Sequence, residues 1–245
     1  MVRDKKRWIK GVAASAILGM LACAGLPAPA PQAGTDDREA QPCAVAATAF
    51  AAEAPAIVRQ PLPWSEERDR LTQEYAQLHY GMSITEIVPQ AVVVHWTAGG
   101  TWQSAYYTFC DDTRADGQVN VSSQFVVDRD GTIYLLTPEE TTMGRHVIGY
   151  NWCAIGIENV GGIDNVEDLT PEQLEANAAL ISYLHGKYPT IQYVFGHYQQ
   201  TAARASGLYI EHVDGYYSLK SDPGPIFMRG LRERLSPEGL VFFDE

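Results

Sequence analysis

Two histidines and one aspartate lie far apart in the chain, yet their residue types and surroundings could form a metal site. His95 follows an apolar run in AVVVHWTAGG, His197 follows YVFG, and Asp222 lies in SLKSDPGP. Two imidazoles and one carboxylate suit catalytic zinc, because three protein ligands leave a fourth position for water. Either histidine alone would more often be an ordinary core or rim residue. The prediction of a zinc site therefore depends on all three residues together.

Glu158 and Lys220 could add the acid–base and electrostatic chemistry that hydrolysis requires. Glu158 follows the apolar segment AIGI, and Lys220 lies two residues before Asp222. A carboxylate can accept a proton from an attacking water, and an ammonium can stabilise a developing oxyanion. The alternatives are a charged strand end that faces water for Glu158 and a solvated loop residue for Lys220.

Short apolar runs predict the strands that position these residues. The continuous run Ala91–His95 suits a buried strand. The sequence Arg129-Asp130-Gly131 is a turn signal between two further runs, and it predicts a hairpin. Histidines at the carboxyl ends of strands would point into the crevice where α/β sheets bind ligands. The other predicted strands are Phe125–Asp128, Thr132–Leu136, Ala154–Glu158 and Tyr193–Phe195.

Three segments have the capping residues or periodicity of helices. One helix begins after Ser65, with acidic residues in its first turn, and ends near Gly81. A second begins at Thr170-Pro171-Glu172-Gln173, which combines an N-cap, a first-position proline and a capping-box glutamine. A third is expected between Pro225 and Leu235. Strands interleaved with helices predict an α/β fold, a single domain with a mixed central β-sheet flanked by helices.

In this order, the segments resemble the type 2 family of zinc-dependent N-acetylmuramoyl-L-alanine amidases, which share a fold with the peptidoglycan recognition proteins. The resemblance runs from about Val92 to Leu235 and rests on VVVHWTAGG, VSSQFVVDRDGTIYLLTPEE, GRHVIGYNWCAIGIENVGG, VFGHYQQ and KSDPGP. It implies one Zn2+ per chain, bound by His95, His197 and Asp222. It also implies hydrolysis of the amide between N-acetylmuramic acid and L-alanine in peptidoglycan or muropeptides.

The same resemblance implies roles for three further residues. Glu158 would be the general base, and Lys220 would act in the transition state. His146, in GRHVIG, would lie at the cleft. Contact with substrate is the prediction for His146, and a structural hydrogen bond to the backbone is the alternative.

Two departures from the family pattern concern substrate contacts rather than the metal site. His197 and Asp222 are separated by a longer connection than is usual in the family, so residues 199–218 predict an enlarged loop over the cleft. Its tyrosines and acids could contact substrate, and a surface excursion without such contact is the alternative. Ser123-Gln124 stands where many members have a histidine or an aromatic residue. His185 lies in the predicted helix that begins at Thr170, and it is expected to have a structural role rather than a catalytic one.

The N-terminal residues have the pattern of an export signal. The segment MVRDKKRWIK is basic, GVAASAILGMLA is apolar, and MLAC, ending at Cys23, resembles a bacterial lipobox. The apolar run is too short for a transmembrane helix. The pattern predicts a lipoprotein signal peptide at residues 1–22 and a lipid anchor on Cys23, which would attach the protein to the outer membrane, facing the periplasm. The alternative is an ordinary cleaved signal peptide on a secreted or soluble periplasmic protein.

Composition separates the remaining chain into further segments. Residues 23–63 are rich in Ala and Pro, which predicts an extended tether. A helical extension at 64–90, the zinc amidase domain at 91–236 and a C-terminal tail at 237–245 would follow. Inside the domain, Cys110 and Cys153 are the one possible disulfide pair, and the sequence does not show whether they come within bonding range.

The charge balance excludes one class of partner. The chain is 46% hydrophobic and 20% charged, as expected for a globular protein, and its formal net charge is −12. Beyond residue 22 it has 13 basic and 29 acidic residues. Nucleic acids and anionic membrane surfaces require clustered Lys and Arg, so no nucleic-acid partner is expected.

Three hypotheses for function follow from these observations. The first is an exported, lipid-anchored zinc amidase that cleaves peptidoglycan or its fragments. The second is a non-catalytic module that binds peptidoglycan, and the third is a zinc peptidase that acts on another amide. The joint presence of Glu158, Lys220 and Asp222 favours the enzyme over the binding module.

Overall fold

The computed structural model describes residues 53–244, so the predicted signal peptide, Cys23 and the tether up to residue 52 lie outside the described residues. Within this range the strands form one mixed sheet in which β3 and β4 pair antiparallel, as the predicted hairpin, and the other pairs are parallel. The strands are β1 (Ile57–Arg59), β2 (Ala91–Trp96), β3 (Phe125–Val127), β4 (Ile133–Leu135), β5 (Ala154–Asn159), β6 (Tyr193–Gly196) and β7 (Val241–Phe242). Their spatial order is β1-β4-β3-β5-β2-β6-β7.

The helices of the described residues are α1 (Glu66–Tyr80), α2 (Trp102–Phe109), α3 (Pro171–Lys187) and α4 (Pro225–Leu235). The predictions of α1, α3 and α4 are confirmed. At the start of α1 the Ser65 hydroxyl accepts a hydrogen bond from the backbone N–H of Arg68, and Gly81 ends the helix with a φ of 71°. Thr170 and Gln173 form the predicted capping box of α3. No helix among these residues is long and apolar enough to cross a membrane.

The parallel pairing of β2 with β5 and β6 explains how distant residues meet. The register places His95 opposite Glu158 across β2 and β5. It also places Val94 opposite Gly196, the last residue of β6, so His197 follows at the same end of the sheet. The carboxyl ends of parallel strands share one edge of a sheet, and this edge therefore carries the predicted catalytic residues.

Alternation along β2 determines the direction in which His95 points. Val92 and Val94 belong to the larger hydrophobic core, together with residues of α3 and α4. Val93 belongs to a smaller core on the other face, where Val147 packs. Since His95 lies on the same face as Val93, its imidazole points toward the segment that contains Val147.

The structure differs from the sequence-based description at three places. β1 pairs with β4, and Leu62 is 3% exposed, so the end of the predicted tether at 23–63 belongs to the folded domain. β7 pairs with β6 inside the predicted tail. The pattern also does not predict α2. The strands β1 and β7 have three and two residues, which is too short for a period to be read, and no turn signal marks them as Arg129-Asp130-Gly131 marks β3 and β4.

The two cysteines of the domain do not form a disulfide. Cys110 and Cys153 are both free thiols in the structure. Cys153 is fully buried, and burial raises the pKa of its thiol well above the ordinary value. The pairing that the sequence left open is therefore absent.

Candidate metal centre and catalytic cleft

Three chain segments bring the predicted ligands to the carboxyl end of the central strands. His95 lies near the end of β2, His197 directly follows β6, and Asp222 lies in the loop before α4. The backbone N–H of Tyr198 donates to the carbonyl oxygen of Asp222 at 2.9 Å. This hydrogen bond holds the Asp222 loop against the end of β6. We call His95, His197 and Asp222 the metal cluster.

The ligand atoms of the metal cluster form a nearly equilateral triangle. Nδ1 of His95 lies 2.9 Å from Nδ1 of His197 and 3.1 Å from Oδ2 of Asp222. The third edge, from His197 Nδ1 to Asp222 Oδ2, is 3.2 Å. Zinc bonds of about 2.0–2.1 Å in a tetrahedron require ligand atoms about 3.3 Å apart. The triangle therefore has the size of one face of a tetrahedral zinc site.

The protonation states of the metal cluster also suit a cation. Burial, and then the neighbouring His95, lower the pKa of His197 to about 4, so its imidazole is neutral near pH 7. Burial alone would raise the pKa of Asp222, but the adjacent imidazoles of His197 and His95 hold it well below its ordinary value. Neutral imidazoles and an ionised carboxylate are the forms that bind metal.

His146 lies behind His95 and fixes the orientation of its ring. Nε2 of His146 lies 3.2 Å from the carbonyl oxygen of Ala154, and Nδ1 of His146 lies 3.0 Å from Nε2 of His95. Burial and the neighbouring His95 lower the pKa of His146 well below its ordinary value, so it is neutral. If its Nε2–H donates to Ala154, its Nδ1 accepts from Nε2–H of His95. This order leaves Nδ1 of His95 unprotonated and available as a ligand.

Glu158 has the environment of a general base. It lines the same cleft as the metal cluster, and its Oε2 atom is buried with no hydrogen-bond partner among residues 53–244. Burial, followed by the negative charge of Asp222, raises the pKa of Glu158 well above its ordinary value, while Lys220 acts in the opposite direction. A carboxylate with a raised pKa accepts a proton more readily.

Lys220 lies on the loop that leads to Asp222, and its side chain is exposed at the cleft. The next residue, Ser221, donates a hydrogen bond of 2.9 Å to Oδ1 of Asn165. This contact joins the Lys220 loop to the segment that follows β5. The structure thus brings together all six residues that the sequence analysis assigned to the site.

The cleft around these residues has a volume of about 480 Å³. Its wall includes side chains that sequence reasoning missed, among them Trp96, Arg145 and Asn165. Arg145 could have been found from its position next to His146. Asn165 and Ala98, which also line the cleft, have φ values of 59° and 50°. Left-handed backbone at residues other than glycine is uncommon and often occurs at functional sites.

The loop at 199–218 does not cover the cleft. None of its residues is among those that line the cleft. Instead, the Glu211 carboxylate lies 2.8 Å from Nδ1 of His79 in α1, and the backbone N–H of His212 donates to the His79 carbonyl oxygen. Tyr209 packs against Gly149. We call His79 and Glu211 the helix–loop pair, because they join the loop to α1.

The sequence pattern of the type 2 N-acetylmuramoyl-L-alanine amidases matches residues 85–225, which is more than half of the chain. This chain belongs to that family. The match contains all six predicted site residues. Family membership confirms the enzyme class predicted from the sequence, N-acetylmuramoyl-L-alanine amidase.

Two phage proteins and one solved structure illustrate the relationship. The endolysin of Enterobacteria phage K11 is 31% identical over 105 residues, which cover 35% of this chain and 69% of the phage protein. The endolysin of Escherichia phage T7 is 34% identical over 79 residues, 31% of this chain and 52% of that relative. The N-acetylmuramoyl-L-alanine amidase LysC from Clostridium intestinale shares the fold at 22% identity, with a TM-score of 0.50 over 76% of this chain and 99% of that chain.

Proposed function

We propose that this protein uses one zinc ion to hydrolyse the amide between N-acetylmuramic acid and L-alanine in peptidoglycan or muropeptides. One observation carries the proposal. Three ligand atoms converge within 3.2 Å, and they face a cleft that also contains the unpartnered carboxylate oxygen of Glu158.

His95, His197 and Asp222 would hold the zinc ion. The fit rests on the size of their triangle and on their donor chemistry, two imidazole nitrogens and one carboxylate oxygen. A bound zinc ion would supply Lewis acidity to the substrate carbonyl and to the attacking water. His146 would keep the ligand nitrogen of His95 directed at the ion.

The chain's own residues would perform the proton transfers. Glu158 would accept a proton from the attacking water while the water oxygen adds to the amide carbon. The same carboxyl would then donate that proton to the nitrogen of L-alanine as the carbon–nitrogen bond breaks. The products would be the lactyl carboxylate of N-acetylmuramic acid and a free peptide amine. The Lys220 ammonium would stabilise the negative charge on the carbonyl oxygen.

The grouping of base, ammonium and ligands in one cleft favours catalysis over binding alone. Purified full-length protein should release the free amine of L-alanine from whole sacculi and from muropeptides. Prior removal of metal with a chelator should abolish the release, and added zinc should restore it. Binding of muropeptides without any release would favour a recognition module. Cleavage of unrelated peptide amides in preference to muropeptides would favour a zinc peptidase.

We further propose that the protein is exported and attached to the outer membrane, facing the periplasm, through lipid on Cys23. The support comes from the basic and apolar segments that precede MLAC. The several acyl chains of a lipoprotein would hold firmly, since each buried methylene contributes about 0.8 kcal/mol. Cys23→Ser should release the protein from the membrane fraction or block its maturation. Unchanged fractionation with membranes would contradict the lipid anchor on Cys23.

A further inference from the structure

Arg145 is a charged residue in the cleft wall that the proposed chemistry does not use. Its side chain is 8% exposed, and it lines the same cleft as Glu158 and Lys220. Removing a guanidinium from water is costly unless its surroundings compensate the charge. The partners of Arg145 therefore show whether its charge is already balanced within the protein.

The protein satisfies Arg145 only in part. Nη1 donates to the carbonyl oxygen of Val119 at 2.6 Å, and Nη2 donates to the hydroxyl oxygen of Tyr216 at 2.9 Å. A guanidinium has five N–H donors. The carboxylate of Asp116 is 3.9 Å from Nη2, beyond hydrogen-bond distance, and is half exposed. Among residues 53–244, no carboxylate accepts a hydrogen bond from Arg145.

Two elements outside the cleft hold this guanidinium in place. The ring of Tyr75, in α1, lies 4.8 Å from it, and Tyr216 comes from the loop at 199–218. The helix–loop pair connects these elements, and the His79 ring lies 4.1 Å from the Tyr75 ring and 4.5 Å from the Tyr216 ring. A guanidinium that is fixed in advance loses little entropy when a ligand binds.

The charges of the cleft indicate which ligand Arg145 suits. The two positive charges of a bound zinc ion would offset the negative charges of Glu158 and Asp222, so the centre of the cleft would not itself provide a site for an anionic group of the substrate. The cationic residues of the lining are Arg145 and Lys220, and the reaction employs Lys220. A planar guanidinium matches the two oxygens of a carboxylate.

We propose that Arg145 binds a free carboxylate of the stem peptide and makes the enzyme selective for anionic over amidated stem peptides. This inference rests on the proposed function, since it names the chemical class of the same substrate. It also gives α1 and the loop at 199–218 a role, because they hold Arg145 without lining the cleft. A contact made equally in the ground state and the transition state changes KM rather than kcat.

The test uses pairs of muropeptides that differ in one group, with each free carboxylate of the stem peptide replaced in turn by a carboxamide. The wild-type protein should show a KM about 10- to 100-fold lower for the carboxylate form of one pair, as expected for charge-assisted hydrogen bonds. Arg145→Gln should remove that preference with little change in kcat. Arg145→Lys, which keeps the charge without the planar fork, should retain part of it.

Arg204→Gln is the matched control. Arg204 also lies over a tyrosine ring, Tyr209 at 4.0 Å, but it does not line the cleft. This variant should keep the full preference. Thermal stability and zinc content of Arg145→Gln are measured in parallel, because a folding defect lowers activity on both forms equally. An equal loss on both forms, or an unchanged preference, would overturn the proposal.

Calorimetric binding in the Glu158→Gln background separates this inference from the proposed function. Tighter binding of the carboxylate form, lost on adding Arg145→Gln, supports the Arg145 site even if the wild-type protein hydrolyses nothing. In that case the amidase proposal fails alone. Hydrolysis of both forms with equal binding overturns the Arg145 site alone.

Discussion

The metal cluster and the helix–loop pair both combine histidine with a carboxylate, and both are buried. In the metal cluster, atoms from three chain segments lie within 3.2 Å of one another and face a cleft. In the helix–loop pair, both oxygens of Glu211 approach a single nitrogen of His79, at 2.8 and 3.0 Å. Histidine, carboxylate and burial together therefore do not make a metal site. A third converging ligand atom and an opening for substrate are also required.

The clusters also differ in how their partners reach them. The ligands of the metal cluster come from the ends of two paired parallel strands and from a loop bonded to one of them. The helix–loop pair joins a helix that precedes the family match to the loop at 199–218. We infer that the first arrangement serves chemistry and that the second serves stability and the placement of Arg145.

The largest expected effect comes from removing a ligand of the metal cluster. His95→Ala and His197→Ala should each lose stoichiometric zinc and amidase activity, and the loss of metal should also lower thermal stability. His79→Ala is the matched control, since it removes a buried imidazole and should retain zinc. Metal analysis of the purified proteins measures the difference. Full zinc retention in both ligand variants would remove the basis for the metal site.

Removing the carboxylate of Glu158, the proposed base, should have the next largest effect. Glu158→Gln should keep zinc and muropeptide binding but lower kcat about 10²–10⁴-fold, because an amide cannot accept the proton of water. Lys220→Ala should also lower kcat, with zinc retained. Steady-state kinetics on muropeptides, together with metal analysis, provide the measurement. Wild-type turnover in Glu158→Gln would assign the base to another residue.

The pH dependence of kcat/KM should report the raised pKa of Glu158. Burial and the charge of Asp222 favour the protonated carboxyl, and only the ionised form can act as base. Activity should therefore fall about tenfold per pH unit below a pKa that lies above the ordinary value of 4.5. The residual activity of Glu158→Gln should lack this acidic limb. If the acidic limb of kcat/KM in the wild-type protein instead gave the ordinary carboxyl pKa, this result would contradict a buried environment for Glu158.

A smaller effect is expected behind the metal cluster. His146→Ala should weaken zinc binding about 10- to 100-fold, the usual cost of losing a residue that orients a metal ligand. His185→Ala is a suitable control, because among residues 53–244 the ring of His185 bonds to the backbone carbonyl of Ile191, just after α3, and it does not line the cleft. Competition with a chromophoric chelator measures both affinities. Equal zinc affinities in the two variants would argue that His146 does not orient His95.

The smallest effect is expected in the helix–loop pair. Glu211→Gln should lower the free energy of unfolding by about 1–3 kcal/mol, because it weakens a buried hydrogen-bonded pair. Zinc content and kcat should stay unchanged. Chemical denaturation and metal analysis test the two halves of this expectation. Loss of zinc in this variant would show that the two clusters are not independent.

The sequence alone determined the strands that end at the predicted site residues, three of the four α-helices found in residues 53–244, and the composition of the site. Runs such as Ala91–His95 carry their own hydrophobic signal, and caps such as Ser65 and Thr170 lie beside the helices that they start. These are local properties, so they can be read without knowing the fold. The resemblance to the family then assigned roles to site residues such as His95, His197 and Asp222, which lie too far apart in the sequence to form a local pattern.

Tertiary structure decided the rest, because it depends on contacts between residues that are far apart in the sequence. β1 became part of the sheet through its pairing with β4, and the loop at 199–218 packed on α1 instead of over the cleft. His146 reached His95 only because both lie on one face of the sheet. The partial compensation of the Arg145 charge likewise depends on distant neighbours, such as Tyr75, Asp116 and Tyr216. Long-range packing, which no local period encodes, sets these partners.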